Sequence, residues 1–152
     1  MKLVTSIIIC QLAGIIGSVF TMPAIGSWYA GLKKPSFNPP NWLFGPVWGL
    51  LYLLMGISLY LVWSKKELAG AKTALTFFAI QFLLNTLWSI IFFGLRLPLA
   101  AFLEILVLWL FILLTILKFF PLSKVAAYLL IPYLFWVSFA SLLNFYIARL
   151  NF

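Results

Sequence analysis

Apolar residues fill five long stretches of this chain, and the polar residues between them fall in short links. The stretches cover residues 3–24, 42–63, 73–95, 97–117 and 125–148, and Glu104 is the one charged residue inside them. A helix needs about 20 consecutive apolar residues to cross a bilayer, and each stretch is long enough. The pattern predicts an all-α membrane protein, a five-transmembrane-helix bundle that forms a single domain over residues 1–152.

The composition and the placement of charge agree with this class. Hydrophobic residues make up 66% of the chain and charged residues 8%, whereas soluble domains carry about 25% charged residues. A formal net charge of +8 would suggest a nucleic-acid partner in a soluble protein. Here the basic residues lie in links and ends, where they set topology and contact lipid headgroups. We therefore expect membrane lipid as a partner and no nucleic acid.

The basic residues also predict an orientation. Six of them fall on the side of the amino terminus and four on the other side, namely Lys2, Lys65, Lys66, Lys72, Lys118 and Lys124 against Lys33, Lys34, Arg96 and Arg149. Cytoplasmic links carry an excess of Lys and Arg. We expect a multi-pass protein of the cell membrane with its amino terminus inside and its first link outside.

The first link, residues 26–41, is longer than the others and is stiffened by Pro35, Pro39 and Pro40. Proline fixes its own φ and restricts the residue before it. Long links without regular structure are uncommon and often functional. Two compatible interpretations remain: an interfacial cap with Trp28 and Tyr29 at the headgroup level, or a lid over a cavity in the bundle.

Aromatic and amide side chains recur at helical spacing in three of the stretches and predict inward faces. Buried amides must be paired in lipid, and buried indole N–H groups need acceptors. These faces either form a packed core or enclose a pocket for a large flat apolar ligand. The residues are Trp48, Tyr52 and Met55 in the second stretch, Gln81, Asn85, Trp88 and Phe92 in the third, and Tyr133, Trp136 and Ala140 in the fifth.

The first stretch has a face of small and polar residues instead, made by Gln11, Gly14, Gly17, Ser18 and Thr21. Small residues let helices approach closely in membranes. We interpret this face as helix packing.

Two single residues carry further predictions. Pro132 removes a helical hydrogen bond inside the fifth stretch and should kink it. Glu104 is an intramembrane acid, a functional candidate by default. We expect it to form a structural hydrogen bond to Arg96, Asn85 or Gln81 rather than to transfer protons.

The residue types that are missing exclude several kinds of site. The sequence has no histidine, no aspartate, two glutamates and one cysteine, Cys10. His-containing triads, zinc and non-haem iron sites, and His-ligated haem are therefore excluded for this chain alone. No cofactor and no metal is predicted. The remaining chemistry fits a receptor or carrier for a lipophilic molecule better than a hydrolytic enzyme.

Specific motifs in the chain resemble one known family. The motifs are Trp28-Tyr29 with Leu32 and Lys34-Pro35, Asn38-Pro39-Pro40 with Trp42, Gly45-Pro46-Val47-Trp48, Leu84-Asn85 with Trp88-Ser89, Phe92-Phe93, Pro132-Tyr133-Leu134 with Trp136, Phe139-Ala140 and Leu143-Asn144. In order and spacing they are similar to the motifs of the TspO/MBR family, the tryptophan-rich sensory proteins related to the mitochondrial translocator protein. Phe37 stands where many members have tryptophan.

The resemblance implies a five-helix bundle, usually a homodimer, with a pocket under the first loop. That pocket would bind porphyrins such as protoporphyrin IX and isoquinoline-carboxamide or benzodiazepine-type drugs. The ligand-binding residues implied by the motifs are Trp28, Tyr29, Trp48, Asn85, Trp88, Trp136 and Ala140. Three activities are compatible with such a pocket: binding alone, light- and oxygen-dependent porphyrin degradation with Trp48 and Trp136 as the catalytic residues, and transport of porphyrin-like molecules.

Overall fold

The computed structural model describes residues 3–152, and every regular element in that range is helical. Lys2, which contributes to the predicted orientation, lies outside the described residues. The helices are α1 (Leu3–Ile25), α2 (Asn41–Trp63), α3 (Ala71–Ser89), α4 (Pro98–Phe119), α5 (Lys124–Leu129) and α6 (Ile131–Asn151). Five spans are long and apolar enough to cross a membrane, with α5 and α6 together forming the fifth. The predicted five-helix membrane bundle is confirmed.

The helices pack as a ring, which leaves room for a cavity inside it. α1 packs against α2 and α3, α3 against α4, and α4 against α6, while α5 packs against α2 and closes the ring. The inward side of α4 is a continuous apolar row of Ala101, Ile105, Leu108 and Ile112, which are all buried. This row fills the side of the bundle on which α4 lies.

The fifth span is broken where the sequence predicts a kink. The helical pattern stops at Leu130, and Pro132 lies in the first turn of α6. Because proline has no N–H, it fits the first turn of a helix without losing a bond. The break allows α5 to lean on α2 while α6 packs against α4.

The end of the third span departs from a regular helix in a way that the sequence did not predict. Ile90–Gly94 forms a π-helical turn, in which the N–H of Leu95 donates to the carbonyl of Ile90 over 2.8 Å. Arg96 then takes a left-handed conformation, with φ of 58°, and α4 starts at Pro98. The wider π turn brings Phe92 into the interior, where 2% of it is exposed.

Candidate ligand-binding cavity

A cavity of about 600 Å³ lies between α1, α2, the end of α3 and α6, under the first loop. None of its wall residues in the described chain is charged. Nine of the 25 described wall residues are aromatic, namely Tyr29, Trp42, Phe44, Trp48, Tyr52, Trp88, Phe92, Phe93 and Trp136. Rings of this kind offer large apolar faces and a few polar atoms that can orient a ligand.

The structure brings five of the seven predicted ligand-binding residues together in this wall: Tyr29, Trp48, Trp88, Trp136 and Ala140. The other two, Trp28 and Asn85, lie outside the wall formed by residues 3–152. The Trp28 ring packs edge-on against Phe92, with 5.6 Å between the ring centroids, and so supports the wall from behind.

Asn85 is buried at the centre of a polar network below the cavity. Its Oδ1 accepts a hydrogen bond from the Tyr52 hydroxyl, and its Nδ2 donates to the Tyr133 hydroxyl over 2.8 Å. The Tyr133 hydroxyl in turn donates to Gln81 Oε1 over 2.9 Å. These bonds connect α2, α3 and α6 and occupy both ends of the Asn85 amide. Tyr52 also lines the cavity, so the network forms its floor.

The predicted hydrogen bond of Glu104 is wrong. Neither carboxyl oxygen has a partner among residues 3–152, although both oxygens are buried. Of the expected partners, Gln81 and Asn85 form hydrogen bonds within the network, and Arg96 is exposed. Glu104 is also absent from the described cavity wall.

Two tryptophans meet on one side of the cavity. The Trp48 and Trp136 rings lie 6.5 Å apart between centroids and are nearly perpendicular, at 89°. Phe44 contacts Trp136 edge-on at 6.0 Å and fixes it from the α2 side. Edge-to-face contacts at these distances are the favourable arrangement for aromatic pairs.

Trp88 is held on the opposite side by stacking and by a hydrogen bond. Its ring stacks on Phe92 at 5.0 Å, and its Nε1 donates to Asn144 Oδ1 over 3.0 Å. Asn144 Nδ2 then donates to the carbonyl of Pro98 over 2.8 Å. The indole N–H of Trp88 is therefore already used within the protein.

The first loop is docked across the end of the bundle. Tyr29 is 2% exposed, and its hydroxyl donates to Asn38 Oδ1 over 3.0 Å. Asn151 at the end of α6 accepts from the backbone N–H of Lys33 and donates to its carbonyl, over 2.9 and 2.8 Å. Phe37 packs against Tyr146 on α6 at 5.6 Å. These contacts hold the loop against the end of α6 and over the cavity.

Two features of this cover concern charge. Lys34 Nζ lies 4.7 Å from the centroid of the Tyr29 ring, whereas the Lys33 side chain is exposed. Burial raises the pKa of Tyr29 above its ordinary value. This shift adds to the ordinary preference of a tyrosine for the protonated form at neutral pH, in which the hydroxyl donates to Asn38.

Sequence reasoning missed the contribution of α1 to the cavity. Gln11, Gly14, Gly17, Ser18 and Thr21 all line it. The packing interpretation is also correct for the two glycines, since a Cβ on Gly14 would lie 2.9 Å from the Tyr52 ring and one on Gly17 would lie 3.2 Å from Ser89 Oγ. The polar residues Gln11, Ser18 and Thr21 on this face could have indicated that it also lines a cavity, because helix packing alone does not require polar side chains.

Comparison with known proteins decides the family. The sequence matches the TspO/MBR family over residues 6–150. The chain belongs to the TspO/MBR family. It is 50% identical over 151 residues to the tryptophan-rich protein TspO of Archaeoglobus fulgidus. The aligned region covers 99% of this chain and 97% of that protein.

Other TspO/MBR relatives are similar over most of their length. The tryptophan-rich protein TspO of Chlorobaculum tepidum is 50% identical over 94% of this chain and 91% of its own. The human translocator protein is 42% identical over 90% of this chain and 82% of its own. Together with the five spans, TspO/MBR membership establishes a multi-pass integral membrane protein of the translocator type.

Proposed function

We propose that this chain is a membrane receptor or carrier that binds large, flat, lipophilic ligands in the aromatic cavity. The ligand class is free-base tetrapyrrole, such as protoporphyrin IX, together with aromatic carboxamide drugs of the isoquinoline or benzodiazepine type. The observation that supports the proposal is the cavity itself, which has a volume of about 600 Å³ and an aromatic wall.

The size and the chemistry of the cavity favour this class. Pockets for drug-sized ligands measure about 300–1,000 Å³ and are mostly apolar with a few polar groups. The sequence has no histidine to ligate a haem iron, which favours the metal-free ring. Lys34, whose Nζ lies 4.7 Å from the ring of the wall residue Tyr29, offers a cation for a propionate.

A titration of protoporphyrin IX against the protein in lipid nanodiscs tests the proposal. We expect saturable quenching of tryptophan fluorescence with a Kd in the micromolar range, which corresponds to about −8 kcal/mol. Trp48→Phe should weaken binding, because Trp48 lines the cavity. Trp109→Phe is the matched control, since Trp109 lies on α4 outside the wall and bonds Ser138. Quenching no greater than in empty nanodiscs would reject the proposal.

The contact between Trp48 and Trp136 supports a second candidate, light- and oxygen-dependent porphyrin degradation. Both indoles line the cavity and touch each other edge-on at 6.5 Å. In an enzyme of this kind, Trp48→Phe and Trp136→Phe would slow product formation under light more than they weaken binding. Equal bleaching of the pigment with and without protein would leave binding as the function.

The homodimer that the family resemblance implies remains a prediction, which cross-linking in membranes would test.

A further inference from the structure

One side of the cavity wall is also part of the outer surface of the bundle. Ile15 is 59% exposed, Met22 70% and Trp42 71%, and all three line the cavity. Ser18, Asn41 and Gly45 are likewise exposed wall residues. These six residues lie on α1 and α2 only and define what we call the α1–α2 cleft. Since both helices are membrane spans, the cleft faces lipid.

The cleft arises because α1 and α2 touch closely at one end and separate towards the other. A Cβ on Gly56 would lie 2.7 Å from Ile7 Cα, so the two backbones are in contact there. A Cβ on Gly45 or Gly49 would meet nothing within 4 Å. Between these two levels, Gln11 Nε2 donates to the carbonyl of Gly49 over 3.1 Å and connects the two helices.

We propose that the α1–α2 cleft is the entrance of the cavity, through which a lipophilic ligand dissolved in the bilayer enters from the side. This inference rests on the proposed function and adds the route that the ligand takes. It also places the source of the ligand in the lipid phase, where a flat apolar molecule accumulates.

The first loop is held over the other side of the cavity by hydrogen bonds to α6. Entry from the water phase requires this loop to lift, which breaks both bonds between Asn151 and Lys33. Entry through the cleft breaks no hydrogen bond among residues 3–152, because the bond of the Ser18 hydroxyl runs within α1 to the carbonyl of Ile15 and the other cleft side chains form none.

Stopped-flow quenching by protoporphyrin IX, with the full chain in nanodiscs, tests the entrance. Ser18→Cys is labelled with a benzyl thiosulfonate, which adds a bulky group in the cleft that a reductant removes. Val19→Cys is the matched control, since Val19 is 64% exposed on the same helix but is not part of the described wall. The native Cys10 is fully buried and should not react.

We expect the label on Ser18→Cys to slow association about tenfold or more, within the range over which variants of one site change their on-rates. Dissociation should slow as well, because the ligand leaves by the same route, and the reductant should restore both rates. The label on Val19→Cys should change neither. Gly45→Leu, which fills the cleft from α2, should slow association in the same way, and Asn151→Ala, which frees the loop, should not speed it.

Each of the following results would overturn the proposal that the cleft is the entrance. The first is unchanged association in labelled Ser18→Cys and in Gly45→Leu, or faster association in Asn151→Ala. The second is faster dissociation at normal association, which would make Ser18 a binding residue only. The third is labelling of Val19→Cys but not of Ser18→Cys, which would mean that another copy of the chain covers the cleft. Absence of saturable quenching in the unmodified protein would instead reject the proposed function itself.

Discussion

Replacing Gly56 by alanine should destabilise the bundle more than any other glycine-to-alanine change in α2. The added methyl group would lie 2.7 Å from Ile7 Cα and 3.1 Å from Ile7 N, whereas ordinary contacts are 3.4–4 Å. Both contacted atoms belong to the backbone, so no side chain can rotate away. The two helices must then separate by roughly 1 Å, and overpacking of this kind costs about 1–3 kcal/mol.

Gly45→Ala is the control for this prediction, because its new Cβ would meet nothing within 4 Å. It should leave stability unchanged or raise it by up to about 1 kcal/mol through helix propensity. The measurement is unfolding in mixed micelles by increasing the fraction of sodium dodecyl sulfate, followed by tryptophan fluorescence. If the midpoints of Gly56→Ala and Gly45→Ala agree within error, α1 and α2 do not cross in backbone contact at Gly56, and the account of the cleft as a separation of the two helices fails.

Three other substitutions test the floor, the wall and the topology. Asn85→Leu should lower stability by about 1–3 kcal/mol in the same assay, because the buried Tyr52 hydroxyl loses its acceptor; an unchanged midpoint would contradict this. Ala140→Thr should overfill the cavity wall at a cost of about 1–3 kcal/mol, which weakens protoporphyrin IX several-fold to roughly a hundredfold in the quenching titration. Unchanged affinity would place Ala140 outside the site. Ser36→Cys should react with an impermeant thiol reagent on intact cells, and labelling only after lysis would reverse the orientation.

The spans and their inward faces could be predicted from the sequence because both follow from local rules. A bilayer requires a continuous apolar stretch, and a period of 3.6 residues places Trp48, Tyr52 and Met55 on one side of α2. Tyr52 and Met55 are buried and Trp48 lines the cavity. The break before Pro132 could be predicted for the same reason, because the missing N–H of proline removes a hydrogen bond within its own helix.

The partners of polar groups could not be predicted, because they depend on the register between helices. Sequence requires that the Asn85 amide be paired but does not choose between a ligand and the hydroxyls of Tyr52 and Tyr133. The same reasoning predicted Gln81 or Asn85 as a hydrogen-bond partner of Glu104, but both amides are bonded within the network and the Glu104 oxygens have no partner among residues 3–152. The π turn at Ile90–Gly94 was not predictable either, since no proline or charge marks it.

The cavity exists because the bundle satisfies its polar groups at one level and leaves space at another. Below the cavity, Asn85 and Gln81 bind the tyrosines of α2 and α6 and draw three helices together. Above it, α2 presents Gly45 and Gly49, which have no side chains to fill the gap towards α1. Filling that gap with protein side chains would close the side that faces lipid. The glycines therefore have two roles: at Gly56 a missing side chain lets the helices touch, and at Gly45 a missing side chain leaves the gap between them open.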